Sequence, residues 1–180
     1  NMPSFTQAAI KQSFLKLLEQ YPLSKITVKM IVLDCGINRN TFYYHFEDIP
    51  MLLEKVIEDE INAIADQLPE NFSLIEGAQT LLSYLVKNKK KVGHIWNSST
   101  REFYEMHLMK ICDYISRRFI KRLGEETAKG ETEALYADLL KYELFGLIID
   151  WINHDMSFDI VERANQMGAL LNDKFEFEIK

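Results

Sequence analysis

Apolar residues recur every three or four positions along most of this chain, which is the spacing of one face of an α-helix. The first such stripe runs through residues 5–20, where Ile10, Phe14 and Leu17 share one side and polar residues occupy the other. No segment alternates apolar and polar residues clearly enough for a half-buried strand. The pattern therefore predicts an all-α protein.

Capping residues and the same spacing divide the chain into about nine helices. Thr27 and Asn38 are favourable N-cap residues, and Gly36 between them ends the helix that Thr27 begins. The predicted helices cover 5–20, 27–36, 38–46, 48–67, 74–88, 90–97, 101–123, 132–154 and 158–172, with a polar loop at 124–130. We expect three head helices within residues 1–47 and six body helices within residues 48–180.

The last two helices carry more apolar surface than one core face can use. Residues 139–152 are apolar nearly all round, so this helix needs partners on two sides. We therefore expect these helices to pair with their copies in a homodimer, as a four-helix interface. The residues assigned to that interface are Leu140, Leu144, Leu147, Ile148, Trp151, Val161, Ala164, Met167 and Leu171.

Composition and charge favour a folded protein with an uneven charge distribution. Apolar residues make up 47% of the 180 residues and charged residues 27%, a balance that supports a core. The net charge of −6 speaks against nucleic acid as a partner, but residues 1–46 carry +3 and leave −9 for the remainder. A basic head on an acidic body is compatible with a DNA-binding protein.

Several other classes of protein are not expected. The longest apolar run, residues 144–149, is far shorter than the roughly 20 residues of a membrane span, and no signal peptide precedes the first helix. Cys35 and Cys112 have no paired spacing, so we expect reduced thiols in a cytoplasmic protein. The sequence has no glycine-rich phosphate loop, nucleophile elbow or metal-ligand spacing, so neither an enzyme nor a bound cofactor or metal is expected.

Residues 27–46, TVKMIVLDCGINRNTFYYHF, have the layout of a helix-turn-helix. A capped helix is followed by a glycine turn and a second short helix whose outward positions are hydrogen-bonding groups. Such a helix fits the major groove of DNA, where only its outward residues reach the bases. The alternative is a helical hairpin whose tyrosines and histidine merely cover a core, but this polar face exceeds what a core needs.

These residues resemble the TetR-type, or tetracycline-repressor-like, family of transcriptional regulators. The resemblance rests on I26-T27-V28, G36-I37 and T41-F42-Y43-Y44-H45-F46, and the plan of three head helices and six body helices is similar as well. Within the family, NRNTFYYHF with the adjoining D-I resembles the regulators of dihydroxyacetone-kinase operons.

The resemblance implies a DNA-binding role for eight residues of the helix-turn-helix. Arg39, Asn40 and Tyr44 are expected to contact base edges, since Arg prefers guanine and Asn adenine by bidentate geometry. The remaining five residues contact phosphate or face the groove, with Lys25 as a further backbone contact: Thr27, Lys29, Thr41, Tyr43 and His45. No metal or catalytic residue is implied.

The chain departs from the family pattern at four positions. Ile49 stands where a basic residue often contacts phosphate, and Asn40 replaces a frequent glycine. Met30 and Leu33 occupy outward places that are usually polar. We expect these two side chains to pack on the body or on a partner.

The resemblance also implies a small-molecule effector that binds between the body helices. The candidate lining residues are His94, Trp96, Phe103, Tyr104, His107 and Tyr142. Aromatic residues at helical spacing are, however, also what an ordinary core contains. The expected function is a repressor that binds a pseudo-palindromic operator as a homodimer under effector control. The alternative is a helix-turn-helix co-regulator controlled by a partner protein.

Overall fold

The computed structural model describes the backbone of residues 5–127 and 131–174, and the side chains of residues 5–121 and 132–170. The described chain contains nine α-helices, one short 3-10 turn and no strand, so the all-α prediction is confirmed. The helices are α1 Phe5–Gln20, α2 Val28–Cys35, α3 Arg39–His45, α4 Ile49–Gln67, α5 Leu74–Lys87, α6 Lys89–Trp96, α7 Arg101–Thr127, α8 Glu131–Asn153 and α9 Ile160–Lys174, with the 3-10 turn at Leu23–Lys25.

Local hydrogen bonds explain where several helices begin. Ser73 and Glu76 form a reciprocal capping box at α5: Ser73 N donates to Glu76 Oε2 at 2.7 Å, and Glu76 N donates to Ser73 Oγ at 3.2 Å. Asp48 accepts from Met51 N at 2.8 Å at the start of α4. Each cap satisfies a backbone donor that the helix leaves without an internal partner.

The predicted loop at 124–130 is partly wrong, because α7 continues through Gly124 to Thr127. Glycine inside a helix costs about 1 kcal/mol relative to alanine, a penalty that neighbouring helix-forming residues offset. Residues 128–130 of that prediction lie outside the described residues.

The described chain forms two compact units. The first contains the chain up to Glu60 together with Asn88–Glu105, and its core includes Ile10, Phe14, Ile31 and Phe42. In this unit α1 packs against both α2 and α6. The predicted boundary had placed α6 in the body rather than with the head helices. The division into residues 1–47 for DNA binding and 48–180 for the body concerns function, and it stays a prediction.

The second unit contains Ile61–Lys87 and the chain from Met106 onward. Here α9 packs on α5 and α8, and Leu81, Ile148 and Trp151 are fully buried or nearly so. The indole Nε1 of Trp151 donates to the carbonyl oxygen of Phe158 at 3.0 Å, which holds the connection between α8 and α9. No helix in the described residues is long and apolar enough to cross a membrane.

Candidate nucleic-acid interface

The first helix of the predicted helix-turn-helix has the caps that its sequence requires. Thr27 Oγ1 accepts from Met30 N at 3.3 Å, and Gly36 ends α2 in the left-handed region with φ of 69°. The amide of Ile37 then donates to the carbonyl oxygen of Val32 at 3.0 Å. Glycine adopts this backbone conformation without the steric penalty of other residues. The sharp turn that separates α2 from α3 therefore follows from Gly36.

The second helix, α3, is capped at one end and anchored by two aromatic rings. Asn38 Oδ1 accepts from Thr41 N at 2.8 Å and from Thr41 Oγ1 at 3.0 Å. Phe42 and Phe46 are buried with ring centroids 6.0 Å apart. Because residues four apart share a helix face, this burial fixes which side of α3 points outward.

The outward side of α3 presents hydrogen-bonding side chains. Arg39, Asn40, Tyr43 and Tyr44 are exposed, and Tyr44 retains 85% of its accessible surface. A tyrosine ring left so open contributes little to the chain's own core. The structure thus brings the three predicted base-contacting residues together on one exposed helical surface.

The predicted phosphate-contacting residues differ in how open they are. Thr27 and Lys29 are exposed, whereas Thr41 and His45 are half-buried. The hydroxyl of Thr41 donates to Asn38, so its hydrogen serves the cap. Thr27 accepts with its oxygen and keeps a hydrogen that a phosphate oxygen can take. The His45 ring meets Tyr44 edge-on, with centroids 5.0 Å apart.

Salt bridges occupy some of the positive charges of the head. Lys16 pairs with Asp34 at 2.5 Å, and this hydrogen bond holds the pKa of Asp34 below its usual value. Lys11 pairs with Asp59 on α4. Within the described residues, Lys25, Lys29 and Arg39 have no such partner. The +3 of the N-terminal segment is therefore concentrated on cations beside α2 and α3.

Met30 and Leu33, the two apolar residues of α2 that depart from the family pattern, differ in exposure. Leu33 retains 71% of its accessible surface, while Met30 is half-buried. The expectation that Leu33 packs on the body is therefore wrong, and a partner remains the open alternative for this residue.

The residues predicted to bind an effector lie in different compact units. His94, Trp96, Phe103 and Tyr104 belong to the first unit, whereas His107 and Tyr142 belong to the second. Burial raises the pKa of the Tyr104 hydroxyl, with the charge of Glu60 as a smaller cause. Tyr142 is exposed, with the Lys141 ammonium 4.5 Å from its ring centroid. The set stays a prediction.

Within that set, two of the first-unit residues have defined contacts. His94 Nδ1 lies 2.7 Å from the carbonyl oxygen of Leu18 on α1. Trp96 is buried, and the Arg101 guanidinium lies 3.9 Å from its ring centroid. Both contacts hold the first unit together.

The residues predicted to form the dimer interface are also used within the chain. Ile148 and Trp151 are fully buried in a single copy and have no surface left for a partner. Five others line a cleft in the second unit: Leu140, Leu144, Leu147, Ala164 and Met167. Val161 is half-buried, and the side chain of Leu171 lies outside the described residues.

The described residues contain no group of three or more His, Cys, Asp or Glu side chains placed to hold a metal ion.

Comparison with known proteins gives matches among transcriptional regulators. Residues 73–173, more than half of the chain, match TetR_C_8, a transcriptional regulator C-terminal region. The uncharacterised HTH-type transcriptional regulator YxbF of Bacillus subtilis strain 168 is 32% identical over 72 residues. That alignment covers 40% of this chain and 19% of YxbF, so the matched segment spans about a fifth of that relative.

Two solved structures have a similar fold. The dihydroxyacetone kinase operon activator DhaS aligns with a TM-score of 0.78 at 17% identity, over 99% of this chain and 100% of its own. A TetR transcriptional regulator from Streptococcus agalactiae 2603V aligns with a TM-score of 0.64 at 22% identity, over 90% of each chain. At these identities the likeness is one of fold.

Proposed function

This chain belongs to the TetR-type family of transcriptional regulators, and we propose from that membership that it represses transcription by binding a pseudo-palindromic operator as a homodimer. Arg39, Asn40 and Tyr44 contact base edges in the major groove. Thr27, Lys29, Tyr43 and His45 hold phosphates, and Thr41 faces the groove. The observation that carries the proposal is the open polar side of α3, opposite the buried Phe42 and Phe46.

The distribution of unpaired cations supports binding to DNA in spite of the net charge of −6. Lys25, Lys29 and Arg39 are exposed around the helix-turn-helix, while Lys11 and Lys16 neutralise acidic groups of the same unit. Cations that contact phosphate release counterions, so binding weakens as salt rises. With few such contacts, we expect specificity to depend largely on the base-facing side of α3.

An exposed apolar stripe on α8 supports a homodimer. Leu135, Leu139 and Tyr142 keep 69%, 55% and 58% of their accessible surface and lie four and three residues apart on one side of the helix. Gly146 continues the stripe, and a Cβ added there would meet no atom within 4 Å. A second copy of α8 crossing here would bury the stripe and approach closely at Gly146.

The direct test is fluorescence anisotropy with DNA from upstream of the chain's own gene, compared with a scrambled duplex over a salt series. Specific binding predicts a preference for the native sequence that persists as salt rises. Equal affinity for both duplexes at every salt concentration would refute operator binding.

Two variants locate the interface on the protein. Arg39→Ala is expected to lower operator affinity by about 1–3 kcal/mol, the cost of losing a bidentate base contact. Lys110→Ala removes an exposed charge from α7 as the matched control and should leave affinity unchanged. Equal losses from both variants would indicate a general charge effect.

Sedimentation measures the proposed dimer. Leu139→Glu places a charge in the middle of the exposed stripe and should shift the chain toward monomer. Glu133→Gln on the same helix is a control that alters charge without touching the stripe. A wild-type chain that sediments as a monomer at operator-binding concentrations would contradict the dimer.

Control by a small effector follows from family resemblance, and the exposed Leu33 favours one alternative, a partner protein that binds the head. If a partner acts there, operator occupancy in cell extract should depend on that protein, and Leu33→Gln should abolish the dependence. Effector control predicts that Leu33→Gln responds to extract as the wild type does.

A further inference from the structure

A cleft between α5, α8 and α9 has the wall chemistry of a small-molecule site. It is small, with an internal volume of about 60 Å³, it is open to solvent, and the residues predicted to bind an effector do not line it. Sites for small molecules typically have largely apolar walls with a few polar groups. Leu74, Ile75, Leu144, Leu147 and Met167 provide such walls here.

A hydrogen bond between two amides lies in the wall of the cleft. Gln79 Nε2 on α5 donates to Asn165 Oδ1 on α9 at 3.1 Å, and both residues line the space. The bond spans 86 residues of sequence and joins two helices that also pack together. The bond therefore fixes the positions of α5 and α9 on either side of this part of the cleft.

Glu143 is the one charged residue among those that line the cleft. Its side chain is half-buried, and burial raises the pKa of its carboxyl above the usual value. No cation pairs with it in the described part of the chain. Lys141, two positions away, pairs instead with Asp138 at 2.7 Å and with Asp113 at 3.4 Å.

An unpaired carboxylate in an apolar cleft makes the site selective for positive charge. Withdrawing a charge from water costs free energy, and a cation brought by a ligand recovers part of that cost. An anionic ligand would instead meet repulsion from Glu143. A neutral ligand would recover only the contribution of the apolar walls.

We propose that this cleft binds a small molecule that combines an apolar body with a protonated amine. The ammonium group pairs with the Glu143 carboxylate, and the apolar body lies against Leu144 and Met167. Binding itself depends only on the cleft, whereas a role as effector rests on the proposed regulatory function.

Three probes of nearly equal size separate charge from shape. Isothermal titration of the full chain without DNA uses benzylamine, benzyl alcohol and benzoate in turn. Benzylamine should bind about tenfold more tightly than benzyl alcohol, since a hydrogen bond to a charged group is worth roughly one decade in affinity or more. Benzoate should bind most weakly. Equal binding of the three probes, or tighter binding of benzoate, would overturn the proposal.

Variants then locate the site. Glu143→Gln should lower benzylamine affinity about tenfold by removing the charged hydrogen bond, while benzyl alcohol binding stays unchanged. Glu133→Gln makes the same substitution on α8 outside the cleft and should change neither.

Ala164→Phe or Ala78→Leu fills the space and should block both ligands, with thermal unfolding as the check on folding. Undiminished benzylamine binding to Glu143→Gln would show that the amine binds elsewhere.

A second copy of the chain is the competing occupant of the cleft. If no probe binds and Ala164→Phe converts a wild-type dimer to monomers, the cleft belongs to a subunit interface and the ligand proposal fails. Because titration is done without DNA, loss of operator binding and loss of amine binding are separate results.

Discussion

His94 Nδ1 lies 2.7 Å from the carbonyl oxygen of Leu18, a contact that joins α6 to α1 across 76 residues of sequence. A carbonyl oxygen only accepts, so Nδ1 must carry the hydrogen. Nearby, the Lys91 ammonium lies 3.7 Å from Glu19 and 3.9 Å from Glu60. Polar contacts therefore connect α6 to α4 and to α1, the helix that packs on α2.

His94→Ala should lower the free energy of unfolding by about 1–3 kcal/mol, because the Leu18 carbonyl is left without this donor in a partly buried place. His94→Asn offers an amide donor and should recover part of the loss. Urea denaturation measures both variants. If alanine and asparagine are equally destabilising, packing of the imidazole ring rather than the hydrogen bond carries the effect.

Gly36→Ala should destabilise the chain by about 1–2 kcal/mol, the usual cost of the left-handed conformation for a residue with a Cβ. A Cβ at Gly36 would meet no atom within 4 Å, so the penalty is conformational rather than steric. Operator affinity should fall as well, since this turn sets the angle between α2 and α3.

Gly93→Ala is the matched control for that substitution. Gly93 lies inside α6 with no atom within 4 Å of an added Cβ. Alanine there should stabilise the protein by about 0.5–1 kcal/mol. Thermal unfolding measures both variants. A shift of the unfolding temperature in the same direction for both would contradict the argument.

The two cysteines should differ sharply in reactivity. Cys112 is fully buried, and burial, with a smaller contribution from Asp113, raises the pKa of its thiol to about 12. Cys35 is half-buried, with Sγ 3.6 Å from the carbonyl oxygen of Ala9. Since the thiolate is the reacting form, a disulfide reagent should label Cys35 first and Cys112 only when the chain unfolds.

Cys35→Ser separates the two thiols in that experiment. In this variant the folded protein should take up no label until denaturant is added. Labelling of the native variant at the rate of a free thiol would show that Cys112 is accessible, contrary to its burial.

The helix-turn-helix was predictable because its determinants are local. Thr27 and Asn38 cap amides three residues away, Gly36 acts through its own backbone conformation, and the burial of Phe42 and Phe46 follows from spacing along one helix. The observed bounds of α2 and α3 accordingly fall within one residue of the expected ones. Local chemistry did not reveal that α7 passes through Gly124, because glycine is tolerated in a helix at modest cost.

The uses of α8 could not be predicted in the same way. Because residues 139–152 are apolar nearly all round, periodicity alone does not say which side meets the chain's own core. Packing turns Ile148 and Trp151 inward and leaves Leu135 and Leu139 exposed. The cleft at Glu143 likewise depends on contacts between helices far apart in sequence, which no local pattern encodes.

The partial burial of Glu143 predicts a pH dependence of stability with a definite sign. Burial raises the pKa of this carboxyl in the folded protein above its ordinary value of 4.5. Below pH 4.5 the group is protonated in both states and carries no penalty. As the pH rises above 4.5, the unfolded chain ionises first, so this group's contribution to stability is progressively lost until the folded carboxyl has ionised as well.

Glu143→Gln should therefore gain stability relative to wild type as the pH is raised from 4 toward neutrality. Asp138→Asn provides the opposite case, because the hydrogen bond from Lys141 lowers the pKa of Asp138, with Arg117 as a smaller cause. The stability that Asp138 contributes is present above its ordinary pKa and is lost as the pH falls through the lowered value. Urea denaturation across pH 3–7 should thus give opposite trends. As the pH rises, Glu143→Gln should become more stable relative to wild type, and Asp138→Asn should become less stable relative to wild type. A Glu143→Gln difference that stays constant over this range would mean that the carboxyl ionises in the cleft as it does in water.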